Sequence, residues 1–288
     1  MYNLKNNTTP TSLIGISGKI GAGKDTAGKI IQYLTTNIKH SYSFKDFINP
    51  DVMPQTEPNY GSRWQIKKFA YKLKLIVSIL TGISVKDLEK EEIKNKKLGK
   101  EWIRYGYADG FKHIYEDGVK TTVMINKECS KERYEEEFKT NWQTAYKTEL
   151  TPRCLLQFIG TDLFRKKLLE DIWVNALFTD YEESFSNNPW YDDKGIYDVS
   201  EEDEVCNPPM YPNWIITDVR FPNEFEAIKS KGGIMIRVNR TGMISEDTHE
   251  SETALDYYHK DFDYVINAAN ITELEEMVKH ILIKENII

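Results

Sequence analysis

The hydrophobic period of this chain changes abruptly between Leu13 and Leu34, and that change constrains the fold more than any other feature. Leu13-Ile14-Gly15-Ile16 is a short unbroken apolar run, of the kind that forms a strand covered on both faces. Lys24 to Leu34 carries its apolar residues at helical spacing. Between the two lies a turn containing Gly18, Gly21 and Gly23. A buried strand feeding a helix through so tight a turn is one βα unit, and such units build parallel sheets with helices on both faces.

The turn itself reads Ser17-Gly18-Lys19-Ile20-Gly21-Ala22-Gly23-Lys24-Asp25-Thr26. Gly18, four residues, then Gly23-Lys24 is the spacing of a phosphate-binding loop. Glycines let the backbone turn so that successive N–H groups face phosphate oxygens. The helix beginning near Lys24 adds the positive end of its dipole, and the lysine adds a mobile cation. Gly18, Lys19, Gly21, Gly23, Lys24, Asp25 and Thr26 are therefore the candidate ATP-binding residues. Asp25 stands where Ser or Thr usually holds Mg²⁺, with Thr26 one residue later. That Gly-Lys-x-Thr arrangement is similar to nucleoside monophosphate kinases, where phosphates and water hold more of the metal. A turn of this kind without a ligand is the plainer alternative, and its strand-and-helix context argues against it.

Further strands and helices alternate along the chain. Ile66 to Phe69 reads as a strand and Ala70 to Leu80 as a helix stopped by Gly82. Trp214 to Thr217 is an apolar strand ending at Asp218. Asn223 to Lys231 is a helix closed by Gly232-Gly233. Ile234 to Val238 and Asp263 to Ile266 are strands, and Ile271 to Ile283 is an amphipathic closing helix. The expected class is α/β, a P-loop fold with a parallel sheet flanked by helices and an inserted helical or lid region. The chain reads as one domain, 1–288, with insertions at about 37–63, 83–150 and 186–213. The first insertion is rich in proline and polar groups and reads as loop. Within and beyond the second, Lys86 to Lys100 and Lys131 to Thr148 read as helical. Phe111 to Ile125 reads as a hairpin around Glu116-Asp117-Gly118. Thr151-Pro152 starts a helix running to Ile159, interrupted by Gly160-Thr161-Asp162 and resumed at Leu163. Trp173 to Phe185 reads as a core helix. The third insertion is an acidic, proline-containing excursion, expected to be solvated.

The 288 residues carry a formal net charge of −7, so no basic surface points to nucleic acid. Cys129, Cys154 and Cys206 lack metal-ligand spacing and suit a reducing compartment. Met1 to Pro10 has no apolar signal region, and no apolar run is long enough to span a membrane. A cytoplasmic location is expected, that of the host if the chain is phage-encoded. The expected partners are small-molecule nucleotides, with no nucleic acid and no membrane; a homodimer is left open.

Three groups carry chemistry. Asp218 ends a hydrophobic strand, as does the metal-binding carboxylate of many phosphate-loop enzymes; capping of the next turn is the structural alternative. Arg220 and Glu224 follow. Arginine forks onto phosphate oxygens, whereas an Arg–Glu pair would only fix the turn. Third, Arg153 and Gln157 share a helix face at i and i+4. The first has the chemistry for a phosphate and the second for a base edge, against the plainer reading of a solvated polar face. Strand ends bring the loop, Asp218 and Arg220 toward one edge of the sheet, where such folds bind ligands.

These segments resemble the bacteriophage deoxynucleoside monophosphate kinases. Ser17-Gly18 through Gly23-Lys24-Asp25-Thr26 matches that family's loop. Phe69-Ala70 with Leu73-Lys74 is similar to its segment after the second strand. Arg153, Leu155, Gln157, Gly160, Thr161 and Asp162 match an Arg-x-Leu-x-Gln-x-x-Gly-Thr-Asp segment, followed by Trp173-Val174. Asp218, Arg220 and Glu224 match Asp-x-Arg-x-x-x-Glu, and Asp247-Thr248-His249 with Glu252 resembles a further loop. Val265-Ile266-Asn267 with Glu273-Leu274 resembles the closing strand and helix. The likeness covers roughly half the chain. Cys154 departs from an arginine pair, leaving Arg153 single and Arg165 as the replacement candidate.

The resemblance implies transfer of the ATP γ-phosphate to a deoxynucleoside 5′-monophosphate for DNA precursor synthesis. ATP and Mg²⁺ are the implied cofactors. Lys24, Arg153, Arg165 and Arg220 are the expected catalytic residues. Lys74, Arg153, Gln157, Gly160, Thr161, Trp173, Asp218, Arg220 and Glu224 are the expected substrate contacts. Asp218, and Asp25 through water, are the metal candidates. The rivals are a P-loop kinase of another small acceptor, such as a phosphorylated alcohol, and a nucleotide-binding regulator without turnover.

Overall fold

The structure, a computed structural model, describes residues 11–36, 41–52, 62–116, 119–140, 145–182, 191–192, 195–196, 211–242, 253–258 and 260–288. Asp117-Gly118, Asp247-Thr248-His249, Glu252, Cys206 and most of the acidic excursion lie outside these residues.

In chain order the elements are β1 (Leu13–Ser17), α1 (Lys24–Leu34), α2 (Phe44–Phe47), β2 (Trp64–Lys67), α3 (Ala70–Thr81) and α4 (Glu91–Lys94). There follow β3 (Ile103–Glu116), β4 (Val119–Cys129), α5 (Lys131–Thr140), β5 (Ala145–Glu149) and α6 (Pro152–Gln157). Next come α7 (Ile172–Phe178), β6 (Tyr191–Asp192), β7 (Gly195–Ile196), β8 (Asn213–Val219), α8 (Pro222–Ser230), β9 (Ile234–Arg240), β10 (Tyr264–Ala268) and α9 (Ile271–Lys284). The chain divides into two compact units, one of residues 1–72 and 171–288, the other of residues 73–170.

The first unit is built on a five-stranded sheet of order β10-β9-β1-β8-β2, parallel throughout. β1 is buried along its whole length. This explains why it reads as an unbroken apolar run rather than an alternating one: both faces are covered. β8 follows the same logic, with Trp214, Ile215, Ile216 and Thr217 all buried. α1 lays Ala27, Ile30, Ile31 and Leu34 into the core beside Ile215, Ile236 and Val238. Ile30, Ile31 and Leu34 each contribute about 1.5–3 kcal/mol on burial. Gln32 is buried on the same helix because its amide donates to the Trp64 carbonyl at 2.9 Å, tying α1 to β2. α2 lies within the stretch expected to be loop. A Ser43–Asp46 capping box starts it, and Phe44 and Phe47 pack on Tyr33. The Ser-x-x-Asp signal was present, but one turn of helix has no period to detect.

The second unit holds an antiparallel sheet of order β4-β3-β5. The hairpin expected around Glu116-Asp117-Gly118 is present and longer than expected, pairing Tyr105 with Cys129 and Glu116 with Val119. Three readings are corrected here. Lys131 to Thr148 is not one helix: α5 stops at Thr140, and β5 pairs along β3 from Ile103↔Glu149 to Tyr107↔Ala145. Alternating Tyr146 and Thr148 suit a strand, and pairing partners far off in sequence decided the matter. Lys86 to Lys100 forms only single turns, since Leu88 is its one buried side chain and there is no apolar face to pack. Gly160-Thr161-Asp162 does not interrupt the helix either. α6 runs on through Phe158–Leu168 as a wider π-helical stretch, closed by an i→i+5 bond from Leu169 N–H to Phe164 O at 2.9 Å.

Candidate active site

Ser17 ends β1 fully buried, and the loop leaves along β9. A Cβ on Gly18 would stand 2.3 Å from the Val238 carbonyl oxygen, so only glycine lets the loop pass here. Gly23, at φ 100, is the N-cap of α1 and brings no capping side chain. The helix start thus presents backbone N–H groups and the positive end of its dipole at the loop. Lys24 Nζ donates to the carbonyls of Gly18 at 2.6 Å and Lys19 at 2.8 Å, lying back along the loop.

Asp25 accepts from the Thr217 hydroxyl at 2.6 Å and pairs with Lys68 Nζ at 3.1 Å. Desolvation pushes its carboxyl up, but the Lys68 ammonium, the Thr217 hydroxyl and Lys24 outweigh that and hold it below the ordinary value of 3.8. The group stays ionised at neutral pH. Thr26 lies beside it and lines a cavity of about 220 Å³ with Gly23, Arg240, Asn270, Ile271 and Leu274.

Asp218 sits at the end of β8, one strand from β1. Its two oxygens accept from Phe69 N–H at 2.8 Å and Ala70 N–H at 3.0 Å, capping the start of α3. Glu224, 3% exposed, has Oε2 accepting from Arg220 N–H at 2.8 Å and Phe221 N–H at 3.1 Å. It fixes the turn through the backbone of Arg220. The Arg220 side chain is half-buried at the same strand end. Trp173 is buried in α7. The loop, Asp218, Arg220 and Glu224 therefore do share one edge of the sheet, with Asp218 and Glu224 in capping positions.

The remaining candidates belong to the second unit. Lys74 is buried, with Nζ 2.6 Å from Glu89 Oε1. Arg153 donates from Nε to Asn95 Oδ1 at 2.9 Å and pairs with Glu91. Gln157, on the same face one turn later, is exposed, while Thr161 and Arg165 are half-buried on the π-helical stretch. Gly160 is buried because Leu73 lies where a Cβ would go, 2.6 Å away. Cys154 Sγ accepts from the Thr151 hydroxyl at 3.3 Å, so it serves the cap of α6.

The whole-chain comparison decides the family. The model of the family described as "Deoxynucleotide monophosphate kinase" matches residues 12–281. The chain belongs to that family. A mimivirus relative, "Putative deoxynucleotide monophosphate kinase" of Acanthamoeba polyphaga mimivirus, is 34% identical over 134 residues, 46% of this chain and 60% of that protein. "Deoxynucleotide monophosphate kinase" of Enterobacteria phage T4 is 29% identical over 45% of this chain and 44% of its own length. "Deoxynucleoside-5'-monophosphate kinase" of Escherichia phage T5 is 25% identical over 75% and 71%. The aligned part is thus under two thirds of the first two relatives. In this member of the deoxynucleotide monophosphate kinase family, the α/β sheet carrying the phosphate-loop geometry is the expected one.

Sequence reasoning passed over Lys68, Thr217, Arg237 and Asp256. Arg237 was detectable as a cation inside the apolar run Ile234-Met235-Ile236-Arg237-Val238. Asp256 had no local signal. Among the described residues, no helix is long and apolar enough to cross a membrane. No group of three or more His, Cys, Asp or Glu there is placed to hold a metal.

Proposed function

We propose that this chain transfers the γ-phosphoryl group of ATP to the phosphate of a deoxynucleoside 5′-monophosphate, releasing ADP and the deoxynucleoside diphosphate for DNA precursor synthesis. The observation that carries this is Lys24 lying over the loop carbonyls at the uncapped start of α1, in a chain matched to its family from residue 12 to 281. An incoming triphosphate offers that ammonium charged oxygens in place of neutral carbonyls. The loop N–H groups and the helix dipole then stabilise charge on the phosphoryl group in flight, with no covalent intermediate. The acceptor phosphate is already ionised and needs no strong base. The cavity lined by Arg240, Asn270, Ile271 and Leu274 has the mixed apolar and polar lining suited to the donor nucleoside.

Asp25, an ionised carboxylate beside the loop, would be the residue to hold Mg²⁺, and Asp218, whose two oxygens already serve backbone N–H groups, would contribute only through water. When bound, the ion would neutralise charge on the donor phosphates. By the family segments they match, Arg220, Lys74, Arg153, Gln157, Thr161 and Arg165 are the residues we assign to the acceptor. Gly160, Glu224 and Trp173 belong to the same family segments and are buried. Small nucleotides are the partners and the cytoplasm is the place where both substrates meet.

The test is an acceptor panel: purified chain and Mg-ATP with each deoxynucleoside monophosphate, the matching ribonucleotides and phosphorylated alcohols. Deoxynucleoside diphosphate formation well above every other product is expected. Turnover only with a non-nucleotide acceptor would replace this reading with the rival kinase, and no turnover with any acceptor would favour the regulator.

A further inference from the structure

The first half of the phosphate loop is held from outside by a set of side chains with no part in the motif. Arg237 lies beside Ser17 in the parallel β1–β9 register. Its Nη1 donates to Ser17 Oγ at 3.1 Å, and its Nη2 pairs with Asp256 Oδ1 at 3.0 Å. Asp256 Oδ2, the second oxygen of the same carboxylate, is 2.6 Å from Lys19 Nζ inside the loop. The Arg237 side chain is 11% exposed and lies over the Phe262 ring, 5.7 Å from its centre. One carboxylate therefore bridges a cation fixed in the sheet to a cation of the loop.

We infer that Asp256 and Arg237 are positioning residues for the donor phosphates: Asp256 acts through Lys19, and Arg237 through Ser17 and Asp256. Lys19 is a long cationic side chain on a glycine-rich loop, and ordering such a side chain at the moment of binding costs rotamer entropy. Tethering it beforehand transfers that cost to folding, which is what preorganisation of a binding loop means. Arg237 suits the task because its planar fork reaches two acceptors at once, which a lysine cannot do. The inference rests on reading the loop as a donor-phosphate site.

The test is a double-mutant cycle on Asp256→Asn and Lys19→Met. It is read by calorimetric titration of a non-hydrolysable ATP analogue without acceptor, and by KM and kcat in the full reaction. Each single variant should weaken the analogue and raise the ATP KM about tenfold, with kcat changed less than threefold and the acceptor KM unmoved. The double variant should bind the analogue no worse than the worse single, because Asp256 reaches the donor phosphates through Lys19 and both changes interrupt that one route. The Lys19–Asp256 contact is partly exposed, so Lys19→Met should move the melting temperature little, whereas Asp256→Asn also weakens the Arg237 pair and should lower it more. Losses that multiply to about a hundredfold would mean that the two act separately. An unchanged analogue affinity in Asp256→Asn would remove the positioning role. The titration needs no acceptor, so it gives its answer even if the acceptor panel fails.

Discussion

Lys24 is bound to two carbonyls of its own loop, and those bonds contribute little to the fold because water can replace the ammonium there. Lys24→Ala should therefore melt within a few degrees of the parent and lose about 10²–10³ in turnover, the scale of removing one group that stabilises transition-state charge. ADP release with acceptor present, beside a thermal melt, checks both halves. Normal turnover would remove the lysine from the mechanism. Asp25 behaves differently, because it connects the loop helix to Thr217 on β8 and to Lys68. Its carboxyl is depressed in the folded state, so the stability it contributes is present above the unfolded value of 3.8 and is lost as pH falls through the lower folded value. Asp25→Asn should flatten the acid limb of the stability profile below about pH 4 and leave the slope near pH 7 alone. Urea midpoints across pH 2.5–7 measure this; an unchanged acid limb would show that the ion pair adds nothing to stability. Of these two residues the sequence made Lys24 legible in full and Asp25 only in part. Spacing identifies a loop lysine, whereas a carboxylate's partners come from strands that only the folded sheet brings alongside.

At the level of elements, Asp218 and Glu224 show how a strand end does structural work inside a candidate site. Asp218 satisfies two N–H groups at the start of α3, and such caps contribute about 0.5–2 kcal/mol. Asp218→Ala should lower the urea midpoint by a corresponding amount, whatever it does to turnover. A variant as stable as the parent would leave α3 without a need for this cap. The strands and helices of the parallel sheet were legible because each buried face imposes a period on its residues. β1 and β8 are apolar throughout, and α1 and α9 are amphipathic. β5 and the π-helical stretch were not. Ala145 to Glu149 becomes a strand only by pairing with β3, and Phe158–Leu168 keeps a helical composition that does not reveal its winding. Gly160 looked like a break, but its lack of a side chain makes room for Leu73.

Across the whole molecule, the residues proposed for the donor were recoverable from one motif, since a phosphate loop must be contiguous. The residues proposed for the acceptor are scattered along the sequence, and only the ordered resemblance to a family collected them. That family assignment now rests on a match from residue 12 to 281. The central claim is that the loop at the start of α1 delivers phosphoryl groups to a deoxynucleoside monophosphate. A single-turnover reaction tests it most directly, with chain in excess over ATP labelled at the γ-phosphate and the deoxynucleoside monophosphates present together. The account predicts that label passes into the terminal phosphate of a deoxynucleoside diphosphate in the parent and stays in ATP with Lys24→Ala. Label appearing only as inorganic phosphate, or remaining in ATP with the parent chain, would contradict it.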